Sequence, residues 1–364
     1  MTVRSLATAA ALATFAFACV ARADPIDTIL ANAMKGTSVP ALAALEMRDG
    51  KVETEGVRGL RRNDRPDAAR VGDPWLIGSD AKPMTAALVA RLVDRGLLSW
   101  TTPLDKMLPE LAGSMRPEFR SATLLQLLSH HAGLAHDTTD MAFFETFFHD
   151  TRTLPAQRLA YIAHALQEAP ESTPGTQFSY SNTGFIVAAV IAERAGGAPY
   201  EALIKREVFQ PLGMGEVEFG PTHEGQPQGH VKGAPAKLED ANPLMFAPAG
   251  NMAMSLRDWA AFCLDQMAGA QGKGQLLSAA AYGLMQTPQP GGGSAGVGWG
   301  IQPSLGGHAG PVLMHAGSDG TGFALVALFP QRRFGVLTVA NAAEDMGGDV
   351  ATKAAMIALM ASLP

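Results

Sequence analysis

The stretch Ser79-Asp80-Ala81-Lys82-Pro83 places a serine three residues before a lysine, and no other Ser-x-x-Lys occurs in the sequence. Pro83 has no backbone N–H and is tolerated in the first turn of a helix, so a helix is predicted to begin near Ser79. One turn on, the Lys82 amine can reach the Ser79 hydroxyl, and burial and the helix dipole would lower its pKa. This pattern is typical of an activated nucleophile, with a helix-capping serine and a solvated lysine as the alternative.

A second motif, Tyr180-Ser181-Asn182, follows a turn over residues 174–179 and precedes a predicted helix near Thr183. No other tyrosine in the chain is followed two residues later by asparagine. A loop in this position can project a phenol and a carboxamide together into a cleft. The alternative is a packed aromatic ring followed by a capping asparagine.

The third motif is His-x-Gly, which occurs at His131, His223, His308 and His315. An oxyanion hole needs backbone N–H donors; Pro311, which follows the His308 motif, has none, whereas Ser318 follows His315 and Gly317. His131 follows a short predicted helix, and His223 lies in a polar loop. The pattern therefore favours His315, at the end of a predicted strand over 312–314.

Strand patterns occur near both ends of the chain, and helical patterns occupy the middle. A hairpin turn, Asp49-Gly50, lies within a strand-like stretch over 41–60, and strands are predicted again over 312–340. Helices are predicted over 25–34 and from about residue 343. The expected fold class is α/β of the α+β type: an antiparallel sheet flanked by helices and built from both chain ends, with a mostly helical insertion. The predicted boundaries are sheet parts at about 24–78 and 291–364 and a helical part at about 79–290.

Composition excludes several classes of protein. The 364 residues are 47% hydrophobic and 17% charged, which is too apolar for a disordered chain. The formal net charge is −6 and no long basic run occurs, so a nucleic-acid partner is not expected.

The first 23 residues have the pattern of a secretion signal. Arg4 precedes an apolar stretch over 6–18, and Ala21-Arg22-Ala23 matches a signal-peptidase site, so cleavage is predicted after Ala23. The expected location is the periplasm or the exterior, with residues 24–364 as the mature domain and no stable membrane insertion. A retained anchor and lipidation of Cys19 are the alternatives. Cys263 then has no disulfide partner in the chain and is expected to be a buried core thiol.

Ser79-x-x-Lys82, Tyr180-x-Asn182 and His315-x-Gly317, in that order, resemble the three motifs of the class C β-lactamase and penicillin-binding-protein superfamily of serine hydrolases. Residues 127–134 and the Pro-Leu-Gly-Met turn at 211–214 are also similar to stretches of this family. The resemblance extends from about Ala41 to the C-terminal helix and implies the two-part fold described above.

This resemblance also implies roles for individual residues. Ser79 would be the acylated nucleophile, Lys82 its activating partner and Tyr180 the shared general base and acid, with its proton transfers running through Lys82. Asn182 would position the substrate or Lys82. The backbone N–H groups of Ser79 and Ser318 would form the oxyanion hole, and His315 and Gly317 would line the substrate site.

One departure from the family pattern bears on the substrate. Many class C enzymes have Lys-Thr-Gly where this chain has His315-Ala316-Gly317, so a cation that would meet a β-lactam carboxylate is replaced by a side chain with a usual pKa of about 6.5. The sequence predicts a monomeric serine hydrolase, without cofactor or metal, that acts on small esters. The alternatives are a D,D-carboxypeptidase or D-aminopeptidase acting on peptidoglycan-like peptides, a weak β-lactamase, and an inactive peptidoglycan-sensing binding protein.

Overall fold

The computed structural model describes residues 25–215, 217–361 and 363. The predicted signal sequence, its cleavage after Ala23 and Cys19 therefore lie outside the described residues. Within the described ranges, no helix combines the length and the apolarity needed to cross a bilayer.

The main sheet is antiparallel and has six strands, in the order β2-β1-β11-β10-β9-β8. Its strands are β1 (Ala41–Arg48), β2 (Lys51–Gly59), β8 (Gly300–Leu305), β9 (His308–Ser318), β10 (Phe323–Phe329) and β11 (Phe334–Ala340). Strand β1 pairs with β11, with Leu45 opposite Leu337, so the two ends of the chain meet in the middle of the sheet. The predicted fold class is confirmed.

Both faces of this sheet are covered by helices. Along β1, Leu42 and Ala44 pack into one buried cluster and Ala43 and Leu45 into another, because successive side chains of a strand point to opposite faces. The first cluster includes apolar residues of α1 (Pro25–Ala33) and α12 (Gly348–Met360), and the second joins the sheet to the helical part of the chain.

The remaining helices lie between β2 and β8 in sequence. They are α2 (Lys82–Asp94), α3 (Leu104–Met107), α4 (Leu124–Leu128), α5 (Met141–Glu145), α6 (Leu154–Ala165), α7 (Asn182–Gly196), α8 (Tyr200–Ile204), α9 (Ala247–Gly250), α10 (Leu256–Gly269) and α11 (Ala279–Met285). Helices α2 and α7 are buried along most of their length and pack against each other.

The middle of the chain also carries short strands that the sequence patterns did not indicate. They are β3 (Trp75–Leu76), β4 (Val217–Phe219) and β7 (Met252–Met254) in a three-stranded sheet, and β5 (His230–Val231) and β6 (Ala234–Pro235) in a two-stranded one. Strands of two or three residues contain too few alternations for a period of two to be visible in the sequence.

Two predicted boundaries near the C-terminus were wrong, and one strand was not predicted. Strand β9 extends through Ser318 instead of ending before His315, because Ala316, Gly317 and Ser318 continue the pairing with β10. Strand β8, which contains Pro303, was missed. Helix α12 begins at Gly348, because Gly347 adopts a φ of +85° after a 3₁₀ turn.

Candidate active site

The nucleophile motif lies where a 3₁₀ turn over Gly78–Ala81 runs into α2. Gly78 has a φ of +52°, and a Cβ atom there would lie 2.5 Å from the backbone nitrogen of Ser318. A Cβ on Gly317 would lie 1.9 Å from the carbonyl oxygen of Ile77. Both positions therefore require glycine, and these close approaches bring the end of β9 against the turn that carries Ser79.

The Lys82 amine is fully buried and contacts three oxygen atoms. Its Nζ lies 2.9 Å from Ser79 Oγ, 2.7 Å from Asn182 Oδ1 and 2.5 Å from the carbonyl oxygen of Ala249. The oxygens of Asn182 and Ala249 can only accept hydrogen bonds, whereas a hydroxyl can also donate. A neutral amine has two hydrogens, so donating both to these acceptors leaves its lone pair facing the Ser79 hydroxyl.

Burial lowers the pKa of Lys82 from its usual value to about 7, against the opposing effect of the Asp137 and Asp80 carboxylates. Desolvation disfavours the ammonium form more than these two charges stabilise it. A substantial fraction of Lys82 is thus neutral at neutral pH and able to accept a proton from Ser79.

Asn182 connects Lys82 to a carboxylate that sequence analysis did not assign to the site. Its Nδ2 donates to Asp137 Oδ1 over 3.0 Å, which orients the amide so that its oxygen faces Lys82. Of the two roles considered for Asn182, this contact favours the positioning of Lys82. Asp137 is 45 residues away in sequence, and no spacing pattern pointed to it.

Tyr180 lies just before α7, whose N-cap is Ser181. Burial raises the pKa of the Tyr180 phenol well above its usual value, and a hydrogen bond with Ser79 opposes this effect. The ring stacks on His130 with centroids 4.3 Å apart, and Nδ1 of His130 accepts a hydrogen bond from the backbone N–H of Ser181 over 3.0 Å. His130 is therefore a further part of the site, holding the tyrosine ring and the start of α7.

His315 lies beside these groups on β9. Its ring centroid is 6.4 Å from that of Tyr180, and its Nδ1 is 3.3 Å from Asp80 Oδ1. Burial and the neighbouring Lys82 charge lower the pKa of His315 to about 3, so the imidazole is neutral over the physiological range. Two of the other His-x-Gly histidines have different surroundings, since His131 bonds to Ser129 and Gly292 and His308 lies against Phe329.

A cleft of about 420 Å³ opens beside the motif residues. Its walls include Tyr180 and His315, together with the apolar side chains of Phe178, Trp299 and Met314. Among the described residues, no group of three or more His, Cys, Asp or Glu side chains is arranged to hold a metal ion. The thiol of Cys263 is buried, as expected.

The structure thus brings the serine, lysine, tyrosine and asparagine of the first two motifs into one network, with the third motif against it. The family model described as Beta-lactamase matches residues 26–360. This chain belongs to the beta-lactamase family.

Curated relatives of this beta-lactamase-family chain carry several activities in their names. It is 30% identical over 220 residues to Esterase EstB of Burkholderia gladioli, covering 56% of this chain and 55% of the relative. It is 27% identical over 202 residues to the D-alanyl-D-alanine-carboxypeptidase/endopeptidase AmpH of Escherichia coli K12, covering 55% and 50%. The chain spans about half the length of the curated relatives it matches.

Solved structures of the same fold cover nearly all of this family member. A penicillin-binding protein homologue from Pyrococcus abyssi, described as octameric, has a TM-score of 0.76 at 23% identity, covering 92% of this chain and 76% of that one. The D-alanine carboxypeptidase AmpC of Burkholderia cenocepacia has a TM-score of 0.73 at 22% identity, covering 93% and 100%. At this level of identity the likeness establishes the fold.

Proposed function

We propose that this protein hydrolyses small carboxylic esters through an acyl-enzyme formed on Ser79. The observation that carries the proposal is the arrangement of Lys82, whose two carbonyl acceptors direct the amine lone pair at Ser79 Oγ. A buried amine with a pKa of about 7 matches the requirement for a general base that works at neutral pH.

In acylation, Ser79 Oγ attacks the ester carbonyl carbon and its proton passes to Lys82 Nζ. The carbonyl oxygen takes up the negative charge. The backbone N–H groups of Ser79 and Ser318 are preorganised hydrogen-bond donors that stabilise this charge. The C–O bond to the alcohol then breaks, and the departing alkoxide receives a proton through the Tyr180 hydroxyl. Water repeats the sequence on the acyl-enzyme, releasing the acid and restoring Ser79.

The pKa shifts of Tyr180 and Lys82 favour different roles for the two groups. Burial keeps the phenol protonated at neutral pH, so it carries a proton to donate and is not available as a phenolate base. Lys82, with its lowered pKa, is the better acceptor for the Ser79 proton. We therefore assign the base role in acylation to Lys82 and the acid role to Tyr180.

The neutral His315 favours ester substrates without a carboxylate over substrates that carry one. Its pKa of about 3 leaves it without charge, so no fixed cation stands at the place where the lysine of Lys-Thr-Gly would meet a β-lactam carboxylate. The similarity to an esterase points the same way. A D-peptidase is the second candidate, because relatives named as D-alanyl-D-alanine-carboxypeptidase and D-alanine carboxypeptidase share the family or the fold.

The substrate class is tested by comparing kcat/KM for a short-chain p-nitrophenyl ester and a chromogenic cephalosporin. We expect the ester to be favoured by several hundred-fold, a difference of more than roughly 3 kcal/mol in transition-state stabilisation. Only activity that Ser79→Ala removes is counted. Preference for the cephalosporin would show that the enzyme is a β-lactamase, and cleavage of a D-Ala-D-Ala peptide in preference to both would favour the peptidase.

An inactive binding protein is separated from an enzyme by covalent labelling. Incubation with a fluorophosphonate, read by intact mass, is expected to add one adduct to the wild type and none to Ser79→Ala. If the wild type remains unmodified while folded, the protein is not a serine hydrolase of the proposed kind.

Activity should rise with pH through about 7. The neutral Lys82 amine is the proposed base, and it is the major form above its pKa of about 7 and the minor form below it. The kcat/KM profile for a neutral ester is the measurement, because it reports the free enzyme. A profile that is flat between pH 5.5 and 8.5 would contradict a base role for Lys82.

We also propose that the protein is exported after cleavage following Ala23, that it works as a monomer and that it needs no cofactor. The pattern of the first 23 residues supports export. The contacts of Ser79 with both Lys82 and Tyr180 support catalysis by side chains alone.

A further inference from the structure

Asp80 lies inside the nucleophile motif, and its carboxyl group is fully buried. Its side chain is 0% exposed, and neither oxygen has a hydrogen-bond partner among the residues that the structure describes. A buried carboxyl group without partners is costly, so one that lies next to the nucleophile requires an explanation. The mechanism above does not use it.

The polar group facing this carboxyl is the imidazole of His315. Nδ1 of His315 lies 3.3 Å from Asp80 Oδ1 and 3.0 Å from the carbonyl oxygen of Ala316. A backbone carbonyl can only accept a hydrogen bond, so Nδ1 carries the hydrogen and Nε2 carries a lone pair. Nε2 bonds to none of the described residues, and the ring lines the cleft.

The surroundings of the pair favour uncharged forms. The titratable groups around Asp80 include His315, the Lys82 amine, the Tyr180 phenol and the buried thiol of Cys263. Burial raises the pKa of Asp80 well above its usual value and lowers that of His315 to about 3. The contact is thus an electrostatic one, in which an Asp80 oxygen lies near an N–H that donates its hydrogen bond to the Ala316 carbonyl.

We propose that Asp80 is a positioning residue for His315: its oxygen, 3.3 Å from Nδ1, adds electrostatic attraction to the hydrogen bond that Nδ1–H donates to the Ala316 carbonyl, and so favours the tautomer and ring orientation that present Nε2 to the cleft as an acceptor. An acyl group that carries an amide N–H or a hydroxyl near the scissile carbonyl is then favoured. A carboxylate in the same place meets a lone pair and is rejected. This selectivity rests on the proposed ester hydrolysis, whereas the tautomer of His315 does not.

The tautomer is measured directly by ¹⁵N NMR on protein labelled at histidine, with His315→Gln identifying the His315 resonances. We expect protonated Nδ1 and unprotonated Nε2 in the wild type. Asp80→Asn should preserve this pattern because its amide oxygen can still face the Nδ1–H, whereas Asp80→Leu, which has similar volume and no oxygen, leaves only the Ala316 carbonyl to favour the Nδ1–H form and should populate both tautomers. A wild-type Nε2–H form, or an Asp80→Leu spectrum identical to the wild type, would overturn the assignment.

Selectivity is measured with two isosteric p-nitrophenyl esters, 3-acetamidopropionate and 5-oxohexanoate, which differ by an N–H in place of a CH₂. The ratio of their kcat/KM values should fall about five- to tenfold in Asp80→Leu, the effect of one hydrogen bond, and stay within about twofold in Asp80→Asn. Because the same two esters are compared in each variant, their intrinsic reactivities cancel.

The outcomes separate this inference from the proposed function. If Asp80→Asn loses selectivity as fully as Asp80→Leu, Asp80 acts through its proton or charge and the positioning role is wrong. If neither ester is hydrolysed while the wild type shows the Nδ1–H form and Asp80→Leu populates both tautomers, the positioning role stands and the ester function fails. Thermal unfolding of both variants confirms that folded proteins are compared.

Discussion

Ser79→Ala and Lys82→Met are each expected to lower kcat/KM for a p-nitrophenyl ester by roughly 10⁴-fold or more, about 5.5 kcal/mol of transition-state stabilisation. The alanine variant removes the proposed nucleophile, and the methionine variant removes the proposed proton acceptor, which lies 2.9 Å from Ser79 Oγ. Because the two groups act as one unit, the double variant should lose no more activity than either single variant.

Lys82→Arg is the matched control for this prediction. A guanidinium keeps a positive charge but is not deprotonated in proteins, so it cannot accept the Ser79 proton. If Lys82 works as a base, the arginine variant is as inactive as the methionine variant. Activity in Lys82→Arg within about tenfold of wild type would show instead that Lys82 acts by its charge.

Folding must be checked in these variants, because Lys82 is fully buried and holds other groups. Without its amine, the carbonyl of Ala249 and the amide oxygen of Asn182 lose their donor, at a cost of about 1–3 kcal/mol for each unsatisfied group. A thermal transition that remains cooperative, with the fold retained at the assay temperature, ties the lost activity to chemistry.

The parts of the fold that the sequence predicted are those marked by local signals, such as turns and the ends of helices. The hairpin of β1 and β2 turns at Asp49 and Gly50, both of which adopt positive φ as such a turn requires. Helix α7 is followed by Gly197 in the left-handed conformation, and a glycine is the usual residue at this position after a helix. These signals are local, so they are visible without knowledge of the tertiary structure.

The parts of the candidate site that the sequence did not predict depend on burial and on contacts between distant residues. The Ala249 carbonyl that holds Lys82 is a backbone group, which no residue type marks. Asp137 reaches the site only because a loop brings it against Asn182. Asp80 was visible within the motif, but spacing alone does not tell a buried carboxyl group from a solvated one.

His315 could be chosen from the sequence, but its environment in the folded protein could not be predicted from it. Pro311 excluded the His308 motif on the ground of a missing N–H, a property of the residue itself. The burial that holds the His315 imidazole neutral comes from surroundings that include the Asp80 turn, more than 200 residues earlier in the chain. A neutral histidine in this position is therefore a property of the folded site.

Tyr180→Phe is expected to divide substrates by their leaving group. The ring and its stacking on His130 are kept, and only the hydroxyl that we propose as the proton donor to the departing alkoxide is lost. A simple alkyl ester, whose alkoxide must be protonated to leave, should lose about 10²- to 10⁴-fold in kcat/KM. A p-nitrophenyl ester, whose phenolate leaves without a proton, should lose less than about tenfold.

The measurement is kcat/KM for ethyl and p-nitrophenyl esters of the same acid, because this constant reports steps up to the first irreversible one, which is acylation. Comparing two alcohols on one acid keeps the acyl pocket constant, so a difference between them arises at the leaving group. Equal losses on both esters would mean that the Tyr180 hydroxyl acts on the attack by Ser79, to which it is hydrogen-bonded, and that the acid role belongs to Lys82. Losses confined to the alkyl ester would instead assign proton acceptance in the first step to Lys82 and proton donation in the second to Tyr180, in line with an amine that is partly neutral and a phenol that is protonated at neutral pH.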